Sequence, residues 1–172
     1  MSNTVYLSIG SNLGNRQQTI EKALQLLQQR VGSITKSSSL YETSPWGFLS
    51  SNMFVNIVVA LTTNLSPETI LSTIHIIESS LGREYNTNES YVSRTIDIDI
   101  IYYNTLILNT DNLIIPHPKM TFRRFVLDPL KEIAPGIKHP VLFLDTEALY
   151  ARCNDRSYCN KLPQVPMYRT TE

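Results

Sequence analysis

The run from Met53 to Leu61 constrains the fold more than any other segment. As an extended strand it sets Phe54, Asn56, Val58 and Ala60 on one face and Val55, Ile57, Val59 and Leu61 on the other. The two faces meet two different environments. Thr4 to Gly10 alternates Val5, Leu7 and Ile9 with smaller or polar residues, which predicts another strand, running into a β-to-α turn at Gly10-Ser11-Asn12-Leu13-Gly14. Ile20, Ala23, Leu24, Leu27 and Val31 then recur at helical spacing and stop at Gly32. Ile34 to Tyr41 is rich in Ser and Thr and moderately strand-like. Ser66-Pro67-Glu68 opens a second helix, because Ser can cap it and Pro fits its first position, and Ile70, Leu71, Ile74, Ile77 and Leu81 form its stripe up to Gly82.

Residues 83 to 94 lack periodicity and read as a long mobile loop, a kind of segment that in a small domain is functional or disordered. Thr95 to Tyr103 is strongly β-prone, with Leu106-Ile107-Leu108 as its expected hairpin partner. A helix is expected from Thr121 into Ile133, interrupted near Asp128-Pro129, and the tail from Lys138 is weakly patterned. The order β-α-β-β-α-β predicts an α+β, ferredoxin-like split β-α-β sandwich, its mainly antiparallel sheet carrying helices on one face. The expectation is a single domain over 1–172, residues 137–172 being a C-terminal extension packed on it.

Composition excludes several functions. The 15 Lys and Arg balance the 15 Asp and Glu, leaving none of the basic excess that a general nucleic-acid binder uses. No apolar run nears the roughly 18 residues of a membrane span, and no signal peptide opens the chain, so a cytoplasmic protein is expected. Cys153 and Cys159 have no further ligands nearby to complete a zinc site.

The sharpest chemical feature is Arg94-Thr95-Ile96-Asp97-Ile98-Asp99-Ile100. On a strand, Asp97 and Asp99 project together, about 6.6 Å apart, while the isoleucines point into the core. Two carboxylates on one face repel, and a hard cation such as Mg²⁺ relieves the repulsion while also gathering substrate phosphates. An isolated Asp-x-Asp equally suits a solvated strand face, and several enzyme classes use such pairs. Arg83 and Arg94 at the ends of the loop, with Arg123 and Arg124, add cations that suit phosphate oxygens. Phe54, Asn56 and Phe125 could stack on a flat heterocycle and read its polar edge. A nucleic-acid module stacking bases on Phe54 is the rival reading, disfavoured by the neutral charge and the acid pair.

Taken together, Ile9-Gly10-Ser11-Asn12-Leu13-Gly14, Tyr41-Glu42-Thr43-Ser44-Pro45, Phe54-Val55-Asn56, Leu81-Gly82-Arg83, the Arg94 to Asp99 motif and Ile115-Pro116-His117-Pro118 with Arg123 and Phe125 resemble the 6-hydroxymethyl-7,8-dihydropterin pyrophosphokinase family of folate biosynthesis. The resemblance runs in order from about residue 4 to residue 136. It implies a Mg²⁺-dependent diphosphokinase that moves pyrophosphate from ATP to the pterin hydroxymethyl oxygen and releases AMP. By the same resemblance, Asp97 and Asp99 hold two Mg²⁺ ions, and Arg83 and Arg94 join them as catalytic residues. Thr43, Ser44, Trp46, Phe54, Asn56 and Phe125 bind the pterin. His75, Glu78, Arg83, Tyr91, Arg94, Ile100, His117 and Arg123 face the nucleotide. The implied partners are ATP and the pterin, with no nucleic acid and no membrane, for a monomer. The chain departs from many relatives at Tyr85, Asn86, Thr87 and Asn88, where further arginines are common.

Overall fold

The computed structural model describes residues 1–84 and 93–163. Its main sheet is antiparallel throughout, and the strand from Asn3 to Ser11 (β1) lies one strand in from an edge. One neighbour of β1 is Phe54–Thr63 (β4), the other Asp97–Tyr103 (β5). On the far side of β4 run Ser33–Ser37 (β2) and Tyr41–Thr43 (β3), so the stretch expected as one strand is two, separated at Ser38 to Leu40. Each helix falls between strands that are not neighbours, which is the split β-α-β order expected.

The first helix, Arg16–Arg30 (α1), begins where Asn15 Oδ1 accepts from the Gln18 amide at 3.1 Å. The second, Pro67–Ser80 (α2), is capped by Ser66 Oγ on the Thr69 amide at 3.2 Å and ends at Gly82, whose φ of +89° suits glycine. Ile20, Leu24 and Leu27 of α1, with Ile70, Ile74 and Ile77 of α2, pack against Val5, Leu7, Ile9, Val55, Ile57, Val59 and Ile98 to form the larger core. The apolar face of β4 is committed to this side.

The opposite face of β4 is covered by a later helix, Arg124–Ile133 (α3), through Val58, Val126, Leu127 and Leu130. Helices thus lie on both faces, where the expectation placed them on one. A bulge where β1 shifts register between Tyr6 and Leu7 lets Ile101 and Tyr102 both join this second cluster.

Three local expectations are corrected. Leu106 to Leu108 is not the hairpin partner of β5: Leu108–Asn109 (β6) pairs instead with Ile114–Ile115 (β7). Asn104, at φ +47°, ends β5 by donating its amide to the Thr4 carbonyl and accepting the Thr4 amide on its side chain, each at 2.8 Å, so the chain turns away. Pro129 does not interrupt α3; the break comes earlier, at Arg123, after a short 3₁₀ turn at Met120–Phe122. The tail carries a helix, Thr146–Arg152 (α4), packed on α3, and a strand, Cys159–Lys161 (β8), paired with β3.

Candidate active site

The polar face of the sheet follows from its register. Across β1, Gly10 faces Asp97 on one side and Asn56 on the other, while Ser8 faces Asp99 and Val58. The acid pair of β5 and the amide of β4 are therefore held by backbone ladders with only β1 between them. A side chain at position 10 would put its Cβ 2.5 Å from Asn56 Oδ1, so a glycine is required by close approach rather than by a turn. That corrects the sequence reading, which placed Gly10 in the β-to-α turn. Asn56 is buried, and its Nδ2 donates to Thr43 Oγ1 at 2.6 Å, which fixes the orientation of the amide.

A cleft opens on this face. Its floor is Ser8, Gly10, Asn56 and the two acids; one wall is Thr43, Ser44, Trp46 and Phe48, and the other Arg123 and Phe125. Phe54 also lines it and meets Phe48 edge-on, their centroids 6.0 Å apart. The Arg123 guanidinium lies 4.7 Å from the Trp46 ring centroid and 5.4 Å from that of Phe125, bridging the walls.

The two carboxylates are treated differently. Asp97 Oδ1 accepts from Arg83 Nη1 at 2.8 Å and from Arg94 Nη1 at 3.1 Å. Arg83 is in turn paired with buried Glu78, whose Oε1 also accepts the Ile98 amide at 2.8 Å, locking α2 to β5. The neighbours of Asp99 stand further off, His117 Nε2 at 3.7 Å and Arg123 Nη1 at 3.8 Å. Burial, and next the charge of Asp97, push the Asp99 carboxyl up to about 7, although Arg123 pulls the other way. Burial and then Arg123 lower His117 to about 4, so its ring is neutral at pH 7. Its Nδ1 accepts the Lys119 amide at 3.1 Å, which leaves the ring proton on Nε2, facing Asp99.

The rim is tied together by Asn12, which is buried. Its amide donates to the Arg94 carbonyl at 3.2 Å, its Oδ1 accepts the Arg94 amide at 2.7 Å and its Nδ2 donates to Ser93 Oγ at 3.1 Å. Ser93 Oγ in turn lies 3.3 Å from Ser50 Oγ. The start of β5 is thus anchored to the β1–α1 turn and to the loop after β3.

Most of the expected residues meet here. Thr43, Ser44, Trp46, Phe54, Asn56, Arg94, Asp97, Asp99, Arg123 and Phe125 line one cleft, with Arg83 and His117 against its acids. Glu78 serves beneath Arg83 rather than in the open cleft. Ile100 points its side chain into the larger core, leaving only its backbone to offer a ligand, and His75 is exposed on α2 away from the cleft lining. Tyr91 lies outside the described residues. The sequence reading missed Ser8 and Phe48 in the lining, and Asn12 at the rim. Ser8 alternates with the core residues of β1, a period-2 clue; Phe48 carries no such pattern.

Among the described residues, no three His, Cys, Asp or Glu side chains are grouped to hold a metal ion. Two carboxylates on one face, one of them pushed toward protonation by burial and then by the other, suit a hard cation that draws its remaining ligands from water and phosphate.

A family model described as 7,8-dihydro-6-hydroxymethylpterin-pyrophosphokinase (HPPK) matches residues 6–135. A 2-amino-4-hydroxy-6-hydroxymethyldihydropteridine pyrophosphokinase of Porphyromonas gingivalis is 46% identical over 138 residues, covering 79% of this chain and 93% of that one. The folic acid synthesis protein FOL1 of Dictyostelium discoideum is 39% identical over 170 residues, 99% of this chain but 25% of its own length. The HPPK-DHPS of Plasmodium falciparum, solved with pteroate, shares the fold at a TM-score of 0.74 and 18% identity, over 88% of this chain and 44% of its own. The chain therefore spans about a quarter of one relative, less than half of another and nearly all of a third.

Proposed function

This chain belongs to the 7,8-dihydro-6-hydroxymethylpterin-pyrophosphokinase family, and from that premise we propose that it transfers pyrophosphate from ATP to 6-hydroxymethyl-7,8-dihydropterin in folate biosynthesis. The observation that carries this reading is the shared cleft, in which a fixed amide and aromatic walls lie one strand from an acid pair flanked by cations. A flat heterocycle fits the first part and a polyphosphate the second.

In this reading the pterin ring stacks among Trp46, Phe54 and Phe125 and offers its polar edge to Asn56, with Thr43 and Ser44 at its border. Asn56 recognises it with little reorganisation because Thr43 already holds the amide. The hydroxymethyl group then points along the floor toward Asp97 and Asp99. Its oxygen attacks the β-phosphorus of ATP; an O–P bond forms, the bond from the β-phosphorus to the oxygen bridging to the α-phosphate breaks, and AMP leaves with that electron pair. The hydroxyl proton departs to a carboxylate or water.

Asp97 and Asp99 are the residues that hold Mg²⁺, two ions with ATP, and the metal when bound neutralises phosphate charge and aligns the reacting oxygens. Arg83 and Arg94, poised on Asp97, turn toward the phosphates, and Arg123 and neutral His117 donate to them from the opposite side. Of the remaining nucleotide residues, Glu78 acts by aiming Arg83, and Ile100 through its backbone.

The test is to incubate the protein with ATP, Mg²⁺ and the pterin and to follow AMP. AMP formed in step with pterin diphosphate is expected. ADP in its place, or no AMP, would overturn the proposal.

A further inference from the structure

The helix α3 begins at an awkward residue. Its N-cap is Arg123, which makes no side-chain capping hydrogen bond, and its guanidinium is turned into the cleft between Trp46 and Phe125. A guanidinium carries only donors, so it has no oxygen to offer the free amides of the first turn. Yet the first turn of α3 carries Phe125, so a frayed start would unsettle one wall of the site. The capping oxygen comes instead from the tail: Asp155 Oδ2 accepts the Arg124 amide at 3.0 Å. Its other oxygen accepts the Ser157 amide at 2.9 Å, so the carboxylate is held by its own loop. A negative charge at this end also suits the helix dipole.

The same tail segment reaches the other wall. The Ser44 amide donates to the Tyr158 carbonyl at 3.0 Å, Thr43 is paired with Cys159 in the β3–β8 ladder, and Cys159 Sγ lies 3.9 Å from the Arg124 carbonyl. One short stretch, 155–159, therefore binds both walls of the cleft. It lies beyond the residues 6–135 that the family model matches.

We propose that Asp155 is a positioning residue for the pterin part of the cleft: it caps α3 in place of Arg123, and so keeps Arg123 and Phe125 at the correct distance from the Thr43 to Trp46 wall. This rests on the pyrophosphokinase reading for its substrate, though its geometry does not.

The experiment compares Asp155→Ala, Asp155→Asn and Leu149→Ala, the last a core substitution in α4 outside the cleft lining. Asp155→Ala should raise the KM for the pterin about tenfold, and the KM for ATP by less, since Arg123 also faces the phosphates, at a temperature where all variants are folded. Asp155→Asn keeps a side-chain oxygen and should recover most of that loss. Leu149→Ala should lower Tm and leave the pterin KM alone. Emission from Trp46, the chain's single tryptophan, gives a second readout that needs no turnover. Asp155→Ala should shift that emission and its quenching by iodide, since Arg123 no longer lies fixed over the ring. An unchanged pterin KM with unchanged Trp46 emission would overturn the inference, as would an equal KM shift in Leu149→Ala. If the parent protein forms no AMP, the function proposal fails by itself, and the Trp46 readout still decides the role of Asp155.

Discussion

Two carboxylates at opposite sides of α3 show how differently one fold can treat the same group. Glu132, on α3, accepts the Ser39 amide at 3.1 Å, the Ser39 hydroxyl at 2.8 Å and the Tyr41 hydroxyl at 2.6 Å, with Lys161 Nζ at 3.3 Å. Desolvation opposes its ionisation, but these donors prevail and its pKa falls below the usual carboxylate value. Asp99 receives the reverse: its cationic and imidazole neighbours stop at 3.7 and 3.8 Å, and a second acid sits on the same strand face. Glu132 is saturated and ties β3 and β8 to α3. Among the described residues, Asp99 is kept short of close donors, so its oxygens are available to a ligand. A carboxylate built for the fold is one whose lone pairs are filled by the fold.

The sharpest way to break this contrast is to exchange the losses. Asp97→Ala and Asp99→Ala should each lower kcat/KM by at least about 10³-fold while circular dichroism and Tm report an intact fold. Glu132→Gln should stay within about threefold of the parent in the same assay. Equal losses would mean that the two sites do not differ as described. Next in size, Gly10→Ala drives a methyl group against the Asn56 amide and should raise the pterin KM by about 10- to 100-fold, measured beside an ATP KM that barely moves. A pterin KM unchanged in that variant would remove Asn56 from recognition.

Glu132→Gln belongs on the stability side, where losing the charge that Tyr41 and Ser39 bond to should cost about 2 kcal/mol by denaturant titration. Little of that comes from Lys161, because its ammonium is largely exposed and such pairs contribute about 0–1 kcal/mol.

The smallest effect is in pH. Folding raises Asp99 from 3.8 to about 7, so between those values the folded chain holds more protons than the unfolded one, and this group's contribution to stability falls as pH rises. Asp99→Asn should therefore be more stable than the parent at pH 8, with the difference fading toward pH 4. Glu132 has the opposite sign: its contribution is present above about 4.5 and is lost on acidification through its lowered folded value. Melting curves of both variants across this range check the two slopes, and parallel slopes would refute the contrast.

The legible parts of this molecule are those in which local periodicity and burial coincide. The stripes of α1 and α2 and the alternation in β1, β4 and β5 each come from neighbours in sequence, and the acid pair inherits its shared face from β5. The features that escaped depend on distant partners. Leu106 to Leu108 is apolar enough to pair with either β5 or Ile114–Ile115, and only the turn at Asn104 decides. Pro129 has the look of a breaker, and it does remove a bond to the Phe125 carbonyl, but burial of Val126, Leu127 and Leu130 in the second cluster holds the helix through it. Cys159–Lys161 has no strand pattern because β3 imposes extension on it. Phe48 and Asp155 are unmarked locally, since the groups they serve are supplied by other segments.

The alternation from Asp97 to Ile100 sets a rule for how this part of the chain can vary in length. Removing Ile98 alone would turn one acid of the pair into the α1–α2 core and bring an apolar neighbour to the cleft. No repacking restores both faces, because β1 holds the strand by its ladder with Ser8 and Gly10 on one parity. A residue inserted or deleted between Asp97 and Ile100 should therefore cost the acid pair its shared face, whereas a change of length in the connections leaves that face intact.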